Sequence, residues 1–500
     1  MKSNILLKNI DYEFWFITGS QYLYGEDILD QIKNESEIIV DELNKSDIFF
    51  KIKFIDVVLT SESIKEKILQ SNSDKKCLGL IFWMHTFSPS KMWINGLSEI
   101  SKPFLHLHTQ FNSEIPWAEI DMNFMNLHQS AHGDREFGHL CSKLNLKRKV
   151  ITGHWKDTMV HHEIDTWMRA CLGLHEMKTL KVARFGDNMR DVSSTEGDKV
   201  DFQKKFGVSV NSYGISELVN ECNSINEYEI HSLVDIYLNE YTYKETFRDS
   251  KDKMISLFEA ARIELGLKSF LKKNGFAAFT TTFEDLNGLD QLPGIAVQRL
   301  MKQGYGFGAE GDWKTAALVR ACKIMAIGKE EGTSFMEDYT YHFNEETDYV
   351  LGAHMLEVCE SIANKKPELK VEKLDIGGKN PPARLVFNAK PGKAVNASLV
   401  DLGNRFRLIV NSVVSKKIEK EIPKLPVARA LWEPMKNLKT SATAWILAGG
   451  SHHTVFSLAI DKNVLLDFSL VSNIECIVVD DVNDITSFQQ QLELNNLIYS

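Results

Sequence analysis

The chain has 500 residues, of which 43% are hydrophobic and 25% charged, and its formal net charge is −10 at pH 7. These values are those of an ordinary soluble globular protein of two to four domains, at about 150 residues per domain. The negative charge, without any basic cluster, argues against nucleic acid as a partner. No apolar run approaches the ~18 residues that a membrane-spanning helix needs.

The N-terminal segment and the cysteines bear on the cellular compartment. The N-terminal segment has too short an apolar stretch for a signal peptide and lacks a small-residue cleavage site. The seven cysteines are scattered and without C-x-x-C spacing, as expected for reduced thiols in a protein core. We therefore expect a cytoplasmic protein.

Strands and helices alternate over the first part of the chain. Apolar runs at 13–20, 51–59, 78–89 and 103–111 predict buried strands that end in polar loops, and a helical pattern covers 28–43. This alternation predicts βαβ units and a parallel sheet, in which ligands bind beyond the carboxyl ends of the strands. The loops expected at that edge carry polar and aromatic residues suited to a polyol: Gln21, Tyr24, His85, Phe87, Gln110, Gln129 and His132.

A second α/β pattern begins near residue 180, and the periodicity changes again after about residue 330. Two strand-into-loop runs, 180–190 and 276–286, flank a long helix predicted over 252–274. The short alternating runs that follow indicate an antiparallel sheet or barrel. We predict three domains, two of α/β type and a third rich in strands, with the boundaries 1–179, 180–330 and 331–500.

A candidate metal site lies within 45 residues of the glycine-rich segment 304–314. Glu310, Glu337 and His354 are two carboxylates and an imidazole in otherwise apolar or glycine-rich surroundings. A mixed oxygen and nitrogen donor set suits Mn²⁺, Co²⁺ or Fe²⁺. A fourth ligand is expected further along the chain, as His452 or His453. Because neighbouring strand residues face opposite ways, only one of the two should reach a given ion.

Each of these residues also has an ordinary structural explanation. Glu310 could cap the helix predicted from Asp312, and His354 could be a hydrogen-bonded core histidine. Glu337 is harder to explain in this way, because a carboxylate in an aromatic strand face is costly to bury without a partner. We predict that 335–343 and 349–358 form a hairpin around a turn at 344–347, with Phe343 opposite Asp348, which would make Glu337 and His354 direct cross-strand neighbours.

The glycines at 306, 308 and 311 spell G-x-G-x-x-G, the spacing of a dinucleotide-binding loop. That loop should follow a strand and hold the pyrophosphate on backbone N–H groups. Here the preceding segment, 294–303, has a helical pattern, and Glu310 would place a negative charge beside the phosphates. We therefore exclude a nucleotide site.

Long specific segments of this sequence resemble the L-arabinose isomerase family. They include GSQYLYG (19–25), WMHTFSPSKMWINGL (83–97), DMNFMNLHQSAHGDREFG (121–138), LPGIAVQRLMKQGYGFGAEGDWKTAAL (292–318) and AGGSHHTVFS (448–457), and the resemblance runs over nearly the whole length. It implies two Rossmann-like parallel-sheet α/β domains followed by a C-terminal, mainly antiparallel domain that contains a β-barrel. It also implies a homohexamer with active sites between subunits and one Mn²⁺ per subunit, with Co²⁺ or Fe²⁺ as substitutes.

The resemblance further implies roles for individual residues. The metal ligands of the family fall on Glu310, Glu337, His354 and His453, and the two glutamates would also act as catalytic acid and base. The substrate contacts of the family fall on Gln21, Leu23, Tyr24, Phe87, Gln129, His132, Met189 and Phe283.

The implied reaction converts L-arabinose to L-ribulose, and D-galactose to D-tagatose, through an enediol. Moving a carbonyl from C1 to C2 requires a proton to leave C2 and arrive at C1, with Glu310 and Glu337 placed to transfer it. Two alternatives remain at the level of sequence. A non-catalytic sugar-binding protein would explain the polar loops but not the metal ligands, and a metal-dependent hydrolase would need a water-activating arrangement that we do not find.

Overall fold

A computed structural model describes residues 11–344, 346–374 and 376–499 of the chain. By its internal contacts the chain forms two compact units. Of the described residues, the first unit contains those from 11 to 175 together with 466–473, and the second contains those from 176 to 465 together with 474–499. The three-domain division predicted above stays a prediction. Among the described residues, no helix combines the length and apolarity needed to span a membrane.

The first unit is built on a five-stranded parallel sheet in the order β2-β1-β3-β4-β5. Its strands are β1 Glu13–Gly19, β2 Lys51–Val58, β3 Cys77–Met84, β4 Phe104–His108 and β5 Lys149–Thr152. The helices of this part of the chain are α1 Glu26–Lys45, α2 Ser61–Ser73, α3 Ile94–Leu97, α4 Met122–Leu127, α5 Ser130–Lys143 and α6 Thr158–Met177. The predicted βαβ alternation and parallel sheet are therefore confirmed.

The central strand β3 shows why this sheet forms. Its sequence, CLGLIFWM, is buried at every position, as expected for a strand covered by helices on both faces. Phe82 packs edge-on against Trp93 and Phe137, with ring centroids 5.3 and 5.7 Å away. This aromatic core holds the sheet rigid beneath the loops at its carboxyl edge.

The second unit begins with a four-stranded parallel sheet in the order β7-β6-β8-β9. Its strands are β6 Lys181–Phe185, β7 Ser209–Tyr213, β8 Ala278–Thr281 and β9 Gly306–Ala309. The accompanying helices are α7 Lys199–Phe206, α8 Ile215–Asn223, α9 Glu227–Glu240, α10 Lys251–Asn274, α11 Gly294–Lys302 and α12 Trp313–Met325. The predicted second α/β pattern is confirmed, and its long helix is α10.

The glycine-rich segment is a strand and a tight turn, whereas we predicted a turn alone. Strand β9 forms because Gly306 allows α12 to pack closely: a Cβ at this position would lie 2.2 Å from the carbonyl oxygen of Ala316. The turn that follows has positive φ at both Glu310 (58°) and Gly311 (80°). The glycines thus serve helix–strand packing and the turn that positions Glu310.

Antiparallel strands close into a six-stranded barrel in the order β14-β17-β10-β11-β16-β15, with β15 pairing back to β14. The strands of this region are β10 Thr333–His342, β11 Tyr349–Ala353, β12 Glu368–Val371, β13 Ala383–Val386, β14 Gly392–Asp401, β15 Phe406–Lys416, β16 Arg429–Pro434, β17 His453–Ser457 and β18 Glu475–Val478. The helices are α13 Leu438–Leu447, α14 Lys462–Ser472 and α15 Ile485–Ile498. The predicted mainly antiparallel, barrel-containing region is therefore confirmed.

Gly352 in β11 is expected to be essential for packing inside the barrel. A Cβ at this position would lie 2.0 Å from the buried indole ring of Trp432. Because that ring is enclosed, Gly352→Ala should lower the free energy of unfolding by ~1–3 kcal/mol, measured by urea denaturation. Gly214→Ala is the control, since a Cβ there would lie 3.6 Å from the hydroxyl oxygen of Ser216, an ordinary contact, and the φ of Gly214 is −63°. Equal stability of the two variants would contradict this packing argument.

Candidate metal centre

Four side chains converge where β9 and the barrel meet, all within the second unit. Glu310 follows the last residue of β9, Glu337 lies on β10, and His354 follows the last residue of β11. His453 is the first residue of β17 and pairs directly with Glu337 across the strands. The end of a parallel strand and three neighbouring barrel strands are thus brought together, although His453 lies more than 90 residues beyond the other three residues in the sequence.

The spacing of these groups suits an ion rather than direct hydrogen bonds. The Nε2 atom of His453 lies 3.6 Å from Oε2 of Glu310, and the Nε2 atom of His354 lies 3.9 Å from Oε2 of Glu337. One ligand atom each from Glu310, His354 and His453 lie within 4.8 Å of one another. Ligands bound to one ion at ~2.0–2.3 Å lie roughly 3–4 Å apart. These residues therefore could hold a divalent metal ion.

The buried imidazole of His453 supports this interpretation. Its Nε2 atom, which faces Glu310, is buried and has no hydrogen-bond partner among the described residues. A buried polar atom without a partner costs ~1–3 kcal/mol and calls for a missing ligand. The donor set of imidazole nitrogens and carboxylate oxygens matches that of ions such as Mn²⁺, Co²⁺ and Fe²⁺.

The predicted hairpin register is wrong at Glu337. Three pairs near the turn follow it: Thr340 with Leu351, Tyr341 with Val350, and His342 with Tyr349. A register shift between Asp338 and Thr340 then places Glu337 opposite Ala353 instead of His354. The turn predicted over 344–347 includes residue 345, which lies outside the described residues.

A β-bulge explains the difference. The bulge leaves Tyr339 as an extra residue, so the alternation that we predicted from Phe335 to Phe343 breaks in the middle of the strand. Strand β11 also ends at Ala353, so His354 lies outside the β-ladder and its side chain is not bound by the alternation of the strand. Because the bulge changes the direction of the Glu337 side chain, its Oε2 atom still lies 3.9 Å from Nε2 of His354.

Two further carboxylates hold the imidazoles, and sequence reasoning missed both. Asp312 Oδ2 lies 3.1 Å from Nδ1 of His453, and Glu357 Oε2 lies 2.5 Å from Nδ1 of His354. A carboxylate on Nδ1 keeps the proton there and leaves Nε2 with its lone pair directed at the ion. The only sequence signal was spacing: H-x-x-E for His354 and a carboxylate two residues after Glu310.

The helix cap that was the structural alternative for Glu310 is made instead by Asp312, two residues later. Asp312 is the N-cap of α12, and its side chain accepts a hydrogen bond from the backbone N–H of Thr315. Glu310 therefore remains free to face the imidazoles, and Asp312 serves both the helix and His453.

Charges in the cluster favour ionised carboxylates around a positive centre. Burial acts to raise the pKa of Glu310, but the surrounding imidazoles, His452 foremost, lower it below its ordinary value. Burial acts to lower the pKa of His354, yet the Glu357 carboxylate raises it to about 9. Burial also acts to raise the pKa of Asp312, but Lys314 and His453 together hold it well below its usual range. The carboxylates are thus ionised and stabilise positive charge at this point, which a proton on His354 supplies and which a metal ion would supply in its place.

Both histidines of the Gly-Ser-His-His turn approach Glu310, but only His453 belongs to the group of potential ligand atoms with Glu310 and His354, so the prediction that one of the two reaches a given ion stays open. His453 is fully buried, while His452 is partly exposed, with its Nε2 atom 3.7 Å from Oε2 of Glu310. Strand alternation does not separate them, because β17 begins only at His453. The Nδ1 atom of His452 is 3.3 Å from the hydroxyl of Ser194, which orients the ring.

Two of the predicted substrate contacts belong to the same unit as this cluster. Met189 follows β6, and its backbone N–H donates to the carbonyl oxygen of Glu310 at 3.0 Å. Phe283 is half-buried in the loop that follows β8, the strand next to β9. Both residues thus lie at the carboxyl edge of the second parallel sheet, as expected for ligand-binding loops.

The remaining predicted substrate contacts lie in the first unit, and most of them form one cluster. The amides of Gln21 and Gln129 each donate to the hydroxyl of Tyr24 at 3.4 Å. His132 lies 3.2 Å from the amide oxygen of Gln129 and 4.6 Å, between ring centroids, from Phe87. Gln129 and His132 also line a cavity of about 500 Å³.

Leu23 is the member of this predicted set that points outward. It lies in a short 3-10 helix between β1 and α1, and its side chain is 81% exposed. An exposed leucine at this position contributes nothing to the core, so its place is consistent with a contact to a ligand or a partner.

Comparison with known proteins gives the same result along the whole chain. Models of the N-terminal, central and C-terminal domains of L-arabinose isomerase match residues 8–179, 181–328 and 332–475. L-arabinose isomerases of Anoxybacillus flavithermus and Geobacillus stearothermophilus are each 55% identical over 98% of this chain, covering 97% and 98% of their own lengths. That of Thermotoga petrophila is 53% identical over 98% of each chain.

These matches, together with the fold and the cluster of carboxylates and imidazoles, define an enzyme of the aldose–ketose isomerase class. Within that class, the chain belongs to the L-arabinose isomerase family.

Proposed function

We propose that this protein isomerises L-arabinose to L-ribulose, and D-galactose to D-tagatose, with Mn²⁺ held by Glu310, Glu337, His354 and His453. The observation that carries the proposal is the convergence of Glu310 and His354 with the unpartnered Nε2 atom of His453, and Glu337 adjoins this group through its Oε2 atom, 3.9 Å from Nε2 of His354. When bound, the ion would act as a Lewis acid on the two neighbouring oxygens of the sugar.

The two glutamates would perform the proton transfer. One carboxylate takes the proton from C2, and the C–H electron pair becomes the C1–C2 double bond of an enediol as O1 gains a proton. The hydroxyl at C2 then loses its proton as the carbonyl forms there, and C1 receives a proton from a glutamate. Ionised carboxylates are required for the first step, and the lowered pKa of Glu310, set by its imidazole neighbours against burial, supports this role.

The resemblance and the separation of the two residue clusters support a homo-oligomeric, cytoplasmic enzyme, which we propose to be a hexamer. Polar loop residues such as Gln21 and Gln129 lie in one compact unit and the metal-binding group in the other. We propose that a site is completed by loops of a neighbouring subunit, so that activity per chain falls on dilution to the monomer. A fully active monomer would contradict this assembly.

Ketose formation from a panel of aldoses tests the proposed activity. We expect L-arabinose to give L-ribulose in the presence of Mn²⁺ and product formation to stop after chelation. Binding of the sugar without any ketose would indicate a sugar-binding protein. Cleavage of a glycoside or ester, without isomerisation, would indicate a metal-dependent hydrolase.

A further inference from the structure

A second cluster of metal-binding side chains lies in the first unit, built from residues outside the centre described above. Glu35 lies on α1, His85 follows the last residue of β3, and His128 follows the last residue of α4. One ligand atom from each of the three lies within 4.8 Å of the others. Three separate elements thus direct one carboxylate and two imidazoles to one point beneath the carboxyl edge of the sheet.

Two of the three side chains are buried, unlike those of an ordinary surface ion pair. Glu35 and His85 are 5% and 0% exposed, and Oε2 of Glu35 contacts Nε2 of His85. The ring of His128 is half-buried, with its centroid 5.6 Å from that of His85. Unlike the ligands of the first centre, Glu35 and His85 are joined by a direct hydrogen bond, which an ion would replace. That bond satisfies Glu35 and one nitrogen of His85, and it leaves His128 without a role.

Each of the two imidazoles has a ring nitrogen without a hydrogen bond to the described residues. The Nδ1 atoms of both His85 and His128 are buried without a hydrogen-bond partner among the described residues. Aromatic rings form the walls: Trp83 stacks on His85 at 4.4 Å, and Phe124 lies 4.4 Å from His128, measured between centroids. Such walls supply no hydrogen bonds to these nitrogens, so the imidazoles are oriented for a ligand that accepts their lone pairs.

We propose that Glu35, His85 and His128 bind a divalent transition-metal ion of the Zn²⁺ type. Two imidazole nitrogens and one carboxylate oxygen are a recurrent ligand set for Zn²⁺, and water completes a tetrahedral arrangement. Imidazole-rich sites favour Zn²⁺ and Co²⁺ over Mg²⁺ or Ca²⁺, which prefer oxygen ligands. The ion takes up the lone pairs that the protein leaves unused.

The proposed ion would tie together the loops that carry the predicted substrate contacts. The backbone N–H of Gln129 donates to the carbonyl oxygen of His85 at 3.1 Å, so the loops after β3 and α4 already touch. Phe87 and Gln129 are two residues and one residue away from the proposed ligands. Metal binding would therefore order these loops. Only the effect of this ordering on substrate binding rests on the proposed function.

Metal stoichiometry tests the proposal. The first centre is disabled by Glu337→Gln combined with His453→Asn, and this parent protein is dialysed against micromolar Zn²⁺ or Co²⁺ before metal analysis. We expect one ion per chain to remain, with the visible absorption of four-coordinate Co²⁺. A parent protein that retains no ion would overturn the proposal without any further variant.

Variants of the second cluster identify the ligands. Adding His128→Asn or Glu35→Gln to the parent should weaken Zn²⁺ binding at least about tenfold, since each removes a donor. The matched control is His139→Asn on the exposed face of α5, which should bind Zn²⁺ as the parent does. Unchanged binding in the first two variants would assign the ion elsewhere and overturn the proposal. Stabilisation of the parent by Zn²⁺ in thermal melts, lost in Glu35→Gln, gives a second readout.

Discussion

Replacing Glu310 or Glu337 by glutamine is expected to lower the turnover number for L-arabinose by ~10²-fold or more. Glutamine keeps the size of the side chain but removes the base and weakens the metal site. The measurement is kcat at saturating sugar and Mn²⁺. Glu330→Gln serves as the control, because that carboxylate is exposed and lies outside the cluster.

Hydrogen isotopes tell us whether the glutamates transfer a proton or only bind the ion. In an enediol route, the C2 proton passes to a carboxylate that exchanges with water, so deuterium from D₂O should appear at C1 of the ketose. Partial exchange is enough to support this route. Complete retention of a C2 label at early turnover would favour a direct hydride shift and leave Glu310 and Glu337 as ligands only.

His453→Asn should behave differently from the glutamate variants. His453 transfers no proton to or from the sugar in the proposed mechanism, and its Nε2 atom faces Glu310, a proposed ligand of the same ion. We therefore expect weaker Mn²⁺ binding, with turnover partly restored by excess Mn²⁺. If excess metal fails to restore turnover, the role of His453 would have to extend beyond binding.

Asp312→Asn and Glu357→Gln are expected to weaken Mn²⁺ binding by ~10–100-fold although neither residue is a predicted ligand. Each carboxylate accepts the Nδ1–H of a ligand histidine, at 3.1 Å for Asp312 and 2.5 Å for Glu357. An amide at this position can donate a hydrogen bond from its NH₂ group to Nδ1, and the neutral imidazole then carries its proton on Nε2, where it blocks metal binding. Metal titration with activity as the readout gives the apparent affinity, and kcat at saturating Mn²⁺ should fall much less.

A matched control separates this effect from loss of a helix cap. Asp312 caps α12, but asparagine is as good an N-cap as aspartate, so Asp312→Asn should leave the helix intact. Asp198→Asn makes the same change at the exposed N-cap of α7. If Asp312→Asn and Asp198→Asn bind Mn²⁺ equally well, the carboxylate does not orient His453.

Local periodicity predicted the parallel α/β units and the antiparallel strands of this protein, and it left open whether those strands form a sheet or a barrel. The uniformly apolar run in β3 and the helical spacing over 28–43 indicated a parallel α/β unit, and the short alternating runs after residue 330 indicated antiparallel strands. These patterns are local because burial on one or both faces of an element depends on residues only two to four positions apart. The same stretches carried the resemblance that pointed to Glu310, Glu337, His354 and His453.

Register and the outer carboxylates were decided by tertiary structure. The bulge at Tyr339 shifts Glu337 by one position, although the pairs next to the turn keep the predicted register. Such a shift within a strand has no mark in the local apolar pattern. Glu357 meets His354 only because β11 ends before it, and Asp312 meets His453 across 141 residues of sequence.

The second cluster shows the same dependence on long-range contacts. Glu35, His85 and His128 lie on a helix, a strand end and a loop, and none has a sequence spacing that indicates a metal site. The pattern of apolar residues determines which elements form and which faces they bury. Which polar side chains then meet depends on how the sheets and the barrel pack, because that packing brings together residues that are far apart in the sequence.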